Sequence, residues 1–182
     1  IKRVIAKPYF GPAFHDQAIL ALEKVHFIGE PVAAVLADDP HVAAEAAKLI
    51  VAEYEELEPV FDEVEAVTST AIVHDELKPA GTFADLKHLA GRRNTNVTLD
   101  YQLRRGDPDK AFAECDHVFE HTFRTQQVLH VPLESHASLA EPGHDSLVIH
   151  TSTQTPSFVR TEIARLLGWP ENRVSVRVPF LG

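Results

Sequence analysis

The chain of 182 residues contains no methionine, one cysteine, one tryptophan and eight glycines. Each scarcity removes a class of explanation. With Cys115 alone there is neither an intrachain disulfide nor a thiolate metal cluster. Cys115 is flanked by Glu114 and Asp116, whose charges oppose thiolate formation, so it reads as a buried structural thiol rather than a reactive one. No apolar run approaches the ~20 residues that a membrane-spanning helix needs. No basic segment followed by an apolar one marks a secretory signal, and the expected setting is the reducing cytoplasm. A chain that begins at Ile1 and lacks methionine is also expected to have lost its true N-terminus.

Positive charge is short as well. Lys and Arg total 17 against 27 Asp and Glu, a net charge of −10, which argues against binding a phosphate backbone. Several familiar signatures are missing: Gly-x-Gly-x-x-Gly, the P-loop, and the Gly-x-Ser-x-Gly elbow of serine hydrolases. What remains is ordinary for a globular chain, 45% apolar and 24% charged, with enough length for one substantial domain or two small ones.

The first half reads as strand, helix, strand. The apolar run Pro31 to Ala37 suits a strand covered on both faces. Asp39 and Pro40 then open a helix, the first as a cap and the second at a position where its missing N–H costs nothing. Val42, Ala46, Leu49 and Ile50 form one helical stripe, and Val51 to Tyr54 reads as the returning strand of a βαβ crossover. From Thr68 to Thr95 the periodicity dissolves at Pro79, Gly81, Gly91 and Asn94, as in a linker or a long surface connection.

Strand character resumes at Asn96 to Tyr101. Asp107-Pro108 repeats the cap-and-proline helix start, and strands are expected at Val118 to Phe123 and Ser146 to His150. Thr155-Pro156 opens a third helix whose Val159, Ile163, Leu166 and Leu167 share a face. Gly168 is placed to terminate it, and Val174, Val176 and Val178 alternate like a half-buried strand. The expected class is α+β, with boundaries at 1–75, a linker at 76–95, and a second unit at 96–182.

Eleven histidines raise a metal hypothesis. His117 and His121 are four apart, but the order differs from His-Glu-x-x-His. His130, Glu134 and His136 can share a strand face and offer nitrogen and oxygen ligands for a small metal hydrolase. Solvated or hydrogen-bonded structural histidines explain the same residues. Ser152-Thr153-Gln154 has more internal agreement. A polar strand end there meets a helix N-terminus, whose amide donors and dipole suit an oxo or phosphate group. Gln154 adds a neutral side-chain donor, or is simply a polar strand end.

Three stretches resemble the molybdenum-containing large subunits of the xanthine dehydrogenase and aldehyde oxidase group, carbon monoxide dehydrogenase large chains included. Val25 to Val35, with the following helix and Ala52 to Leu57, is similar to that family's α/β hammerhead domain. Arg105 to Phe112, His130 to Glu134 and Ala140 resemble the entry to its molybdopterin-binding region. Ser152 to Pro156, Leu167 to Pro170 and Val174 to Val178 resemble the passage leading into its glycine-rich cofactor loop. The resemblance implies a hammerhead-type α/β domain followed by part of a second α+β, molybdopterin-binding domain.

It also implies roles. The family's Ser-Thr-Gln glutamine lies against an oxo ligand of molybdenum, and Gln154 holds that position; the loop's first glycine corresponds to Gly182. Such enzymes hydroxylate a carbon next to nitrogen or oxygen, and electrons leave through [2Fe–2S] clusters to FAD on partner subunits or domains. The expected cofactor is molybdenum-molybdopterin, with or without a cytosine dinucleotide, and the substrate is a small molecule such as an aldehyde, purine or other N-heterocycle. No catalytic residue or protein metal ligand is expected within this stretch, which taken alone is expected to be inactive, because the family's catalytic glutamate lies past residue 182. The alternative is a non-catalytic docking module for partner subunits.

Overall fold

The computed structural model describes residue 5 and residues 8–182, so Ile1 lies outside the described residues. The fold is α+β, and its best-formed part is C-terminal. There β5 (Ser138–Pro142), β6 (Leu147–Thr151) and β7 (Val174–Arg177) form a sheet in that order. β5 pairs antiparallel with β6, from Ser138 opposite Thr151 to Pro142 opposite Leu147. β6 pairs parallel with β7, from Leu147 opposite Val174 to His150 opposite Arg177.

Parallel neighbours need a crossover, and α4 (Pro156–Leu167) supplies it. Ile149, Ala164 and Val174 are buried between helix and sheet, with Leu147, Ile163, Trp169 and Val176 packed around them. The end of α4 follows from its sequence. Gly168 sits at φ +68°, a left-handed conformation that glycine adopts without a Cβ penalty. Its N–H donates to the Arg165 carbonyl (3.2 Å), and the Trp169 N–H donates to the Ala164 carbonyl (2.8 Å), the two bonds of a Schellman closure. Trp169 is thereby turned onto the core.

The first half differs from the expected crossover. Pro40–Lys48 is indeed a helix, α1, and the Asp39 carboxylate accepts from the N–H groups of His41 (2.7 Å) and Val42 (3.2 Å). Residues 31–37 and 51–54, however, join no ladder. The apolar runs there signal burial, but a strand also needs a row of partners for its N–H and C=O groups; the Ala21 N–H donates to the Pro31 carbonyl (2.7 Å), and no ladder forms along either run among the described residues. The α1 stripe is correspondingly open, with Leu49 81% exposed. Residues 96–101 and 118–123 likewise form no strand. Asp107-Pro108 does start a helix, α3 (Pro108–Glu114), but it buries no residue, and Cys115 at its end is exposed rather than buried.

The region without periodicity carries structure of its own. After α2 (Glu63–Ala66), β3 (Glu76–Leu77) pairs antiparallel with β4 (Arg92–Arg93), and Leu77 is the most deeply buried large side chain. The N-terminal hairpin of β1 (Tyr9–Phe10) and β2 (Gln17–Ala18) brings Phe14 against this unit through a bridge to Pro79. The His15 N–H donates to the Lys78 carbonyl (2.9 Å), and the Ala80 N–H to the Ala13 carbonyl (2.9 Å). Asn96 acts as a clasp. Its amide donates to the carbonyls of Ala66 (3.0 Å) and Ala71 (2.8 Å), and its carbonyl oxygen accepts from the Val73 N–H (2.9 Å).

Two contacts tie the N-terminal half to α4. Arg165 forms a fork to Glu162 (2.8 and 3.3 Å) and donates to the main-chain carbonyl of Tyr9 (2.5 Å). Phe83 packs at a tilt on Phe158, ring centres 5.7 Å apart.

Two substitutions test this account. Nothing lies within 4 Å of a Cβ placed on Gly168, so the cost of Gly168→Ala is conformational alone. It is expected to be ~1 kcal/mol, seen as a fall of about 2–4 °C in the melting temperature. Asn96→Ala leaves three main-chain groups without their side-chain partner and is expected to cost ~2 kcal/mol in urea unfolding. A loss below a few tenths would show that Asn96 is not a clasp.

Candidate functional site

The topology collects three distant pieces of chain at one edge of the C-terminal sheet. β6 and β7 are parallel, so both run out at the same edge, β6 into Ser152 to Gln154 and β7 toward Gly182. β5 is antiparallel and starts there, with Ser138 opposite Thr151, so the chain just before it also arrives at this edge. That preceding chain contains Glu134. The Ser138 and Thr151 hydroxyls hydrogen-bond each other at 2.7 Å across the same edge.

Glu134 is where the pieces meet. One oxygen of its carboxylate accepts from the Ser152 hydroxyl and the other from the Gly182 main-chain N–H. The Ser152 hydroxyl, and next the Gly182 amide, stabilise the ionised form and hold the carboxyl below the ordinary glutamate pKa; His136 adds a smaller electrostatic pull. A side chain at residue 182 would crowd this approach. A Cβ there would lie 2.9 Å from the carboxylate oxygen Oε2 and 3.0 Å from the Glu134 Cβ.

Gln154 is exposed at the mouth of this edge. Just before α4, the Thr153 hydroxyl accepts from the Thr155 N–H (3.1 Å), which turns the chain into the helix. Thr155, the cap residue of α4, makes no side-chain hydrogen bond to the first helical turn, and Pro156 follows it. The first turn of α4 is therefore left without a side-chain cap. Neutral amide donors, an open helix start and a closely approached glycine suit one wall of a large oxygen-rich ligand.

Of the residues singled out in the sequence, Gly182 and Ser152 come together, each donating to Glu134, and Gln154 lies exposed two residues past Ser152. His130, Glu134 and His136 do not form a ligand set. Among the described residues no group of three or more His, Cys, Asp or Glu can hold a metal ion. Glu134 is engaged with Ser152 and Gly182 instead, and His130 and His136 are exposed. His117 and His121 are exposed as well.

Periodicity also missed a residue on α4. Glu162 is 4% exposed although the apolar stripe leaves it out, because its carboxylate is satisfied by Arg165 one turn later. The Glu-x-x-Arg spacing was the available signal, since positions three apart lie on the same side of a helix.

Two family models match the chain. The molybdopterin cofactor-binding domain covers residues 89–182, and the aldehyde oxidase and xanthine dehydrogenase a/b hammerhead domain covers residues 4–58. The chain belongs to the molybdopterin-binding family of xanthine dehydrogenases and aldehyde oxidases. It is 35% identical over 174 residues to the probable hypoxanthine oxidase XdhD of Escherichia coli (strain K12), covering 85% of this chain and 18% of that protein. Xanthine dehydrogenase of Calliphora vicina is 35% identical over 173 residues, covering 94% of this chain and 11% of its own. Among solved structures, quinoline 2-oxidoreductase from Pseudomonas putida 86 superposes with a TM-score of 0.72 at 33% identity, covering 91% of this chain and 19% of that one. The chain thus spans less than a fifth of the length of the relatives named here.

The depressed carboxyl of Glu134 has a pH consequence. A group held below its ordinary value of 4.5 stabilises the fold fully above that pH, and the contribution is lost as pH falls through the depressed value. The gap in urea stability between the wild-type protein and Glu134→Gln is expected to be widest near neutrality and to narrow on acidification below ~pH 4. A gap that stays constant from neutral to acid pH would contradict the ionised acceptor.

Proposed function

We propose that this chain forms one wall of the molybdenum-cofactor site in the large subunit of a hydroxylase or dehydrogenase that oxidises an aldehyde, a purine or another N-heterocycle. The observation that carries the reading is the meeting of Gly182 with the Ser152–Gln154 passage at one sheet edge, within the span of the cofactor-binding match. Gln154 and Gly182 are the residues assigned to the cofactor, whose pterin is plain or carries a cytosine dinucleotide.

When bound, the cofactor supplies the redox chemistry that hydroxylates a carbon. The chain supplies position. Gln154 presents a neutral amide that can donate to an oxygen without adding charge. The open first turn of α4 adds main-chain donors and the positive end of the helix dipole. Gly182 lets the main chain approach closely, and Glu134 holds that glycine beside Ser152. None of these groups is assigned as an acid, base or nucleophile.

The electrons are proposed to leave through [2Fe–2S] centres to FAD on partner subunits or domains, in a cytoplasmic complex. Domain limits of 1–75, 76–95 and 96–182 belong to the same proposal. Among the described residues no helix is long and apolar enough to cross a membrane.

A second reading has an observation in its favour. α1 and its flanks expose Leu36 (98%), Leu49 (81%) and Val51 (84%), an apolar surface suited to docking against another part of the complex. The docking and cofactor-wall roles are compatible, since they use opposite ends of the chain.

The test is Gln154→Ala in the purified holoenzyme. Turnover is expected to fall by about 10–100-fold while molybdenum per polypeptide stays near that of the wild type. A wild-type holoenzyme without molybdenum by elemental analysis would overturn the reading.

A further inference from the structure

Glu134 has an unusual place in this edge. A carboxylate only accepts, and each of its two oxygens here faces one donor, Ser152 Oγ–H on one side and Gly182 N–H on the other. Those donors belong to the two passages that flank the cofactor wall, 30 residues apart in the chain by their numbering. Ser152 stands two residues ahead of Gln154, so whatever holds Ser152 also limits where Gln154 can be. The contact at Gly182 involves the stem of Glu134 as well as its tip, because a Cβ at 182 would meet both Cβ and Oε2. A methyl group at 182 would therefore press on the glutamate, whose tip can move but whose Cβ lies 3.0 Å away.

We propose that Glu134 is a positioning residue, a latch that joins the Ser152 hydroxyl to the Gly182 amide and thereby sets the spacing between Gln154 and the glycine at the cofactor. This rests on the cofactor-wall reading above. The chemistry predicts how each variant fails. Glutamine at 134 can keep both contacts, its Oε1 accepting from the Gly182 N–H and its NH2 donating to Ser152 Oγ, whereas Glu134→Ala removes both. Ser152→Ala removes the hydroxyl bond and leaves the Gly182 bond in place. Gly182→Ala sets a methyl group against the tip and the Cβ of the glutamate.

The experiment uses the holoenzyme and its Glu134→Ala, Glu134→Gln, Ser152→Ala and Gly182→Ala variants. Three quantities are read: the rate at which molybdenum and pterin are lost on dialysis, the visible circular dichroism of the bound cofactor, and kcat separately from KM. Glu134→Ala is expected to lose cofactor about 10–100-fold faster, with a changed cofactor spectrum and a lower kcat at similar KM. Ser152→Ala is expected to fall between it and the wild type. Gly182→Ala should show a comparable defect, and Glu134→Gln, which can keep both contacts, should stay near the wild type. If Glu134→Ala does not fold, Ser152→Ala and Glu134→Gln decide the matter. Wild-type retention and spectrum in Ser152→Ala and Glu134→Ala would overturn the latch, as would a Glu134→Gln variant as defective as Glu134→Ala. A wild-type protein without molybdenum would instead bring down the cofactor reading itself, and a Gln154→Ala effect with a silent Glu134→Ala would remove only the latch.

Discussion

Two adjacent strands that run the same way cannot be joined by a tight turn, and that constraint organises the C-terminal half of this molecule. The ladder between β6 and β7 obliges the chain to leave the sheet, travel back along it and re-enter, which α4 does in 12 residues. The small apolar core exists because the returning helix has to lie on the strands it connects. The same constraint places the start of α4 and the ends of both strands at one edge. Ligands of open sheets gather at the carboxyl ends of parallel strands, and here that edge also receives the chain entering β5. The proposed cofactor wall is thus a product of topology before it is a product of side chains.

Against that background the N-terminal half is organised differently. Its order comes from main-chain contacts around short ladders, from the Asn96 clasp and from the docking of Phe14 beside Leu77. Apolar residues on α1 and its flanks remain open to solvent, so the packing that defines the C-terminal unit has no counterpart there among the described residues.

The helix boundaries were legible because their signals are local. Asp39-Pro40, Asp107-Pro108 and Thr155-Pro156 each begin a helix, and Gly168 ends one in the conformation its position demands. β6 and β7 were legible too, since a ladder partner is present for each. Residues 31–37, 51–54, 96–101 and 118–123 carry strand-like patterns yet pair with nothing described, because apolar pattern records burial and pairing depends on distant chain. Conversely, Glu76–Leu77 and Arg92–Arg93 pair in a stretch with no periodicity at all. The Gln154 passage was visible as a motif. The part played by Glu134 was not, because the relation between residues 134, 152 and 182 exists only once the three strands are in register.

The tether between the two halves has a property of its own. Arg165, held in its fork by Glu162, grips a main-chain oxygen of Tyr9, and every amino acid carries that oxygen. Position 9 can therefore change its side chain without loosening the join, whereas positions 162 and 165 are bound to change together or not at all. Joining through the backbone lets the surface of the N-terminal hairpin drift toward new neighbours while its place on the helix is kept.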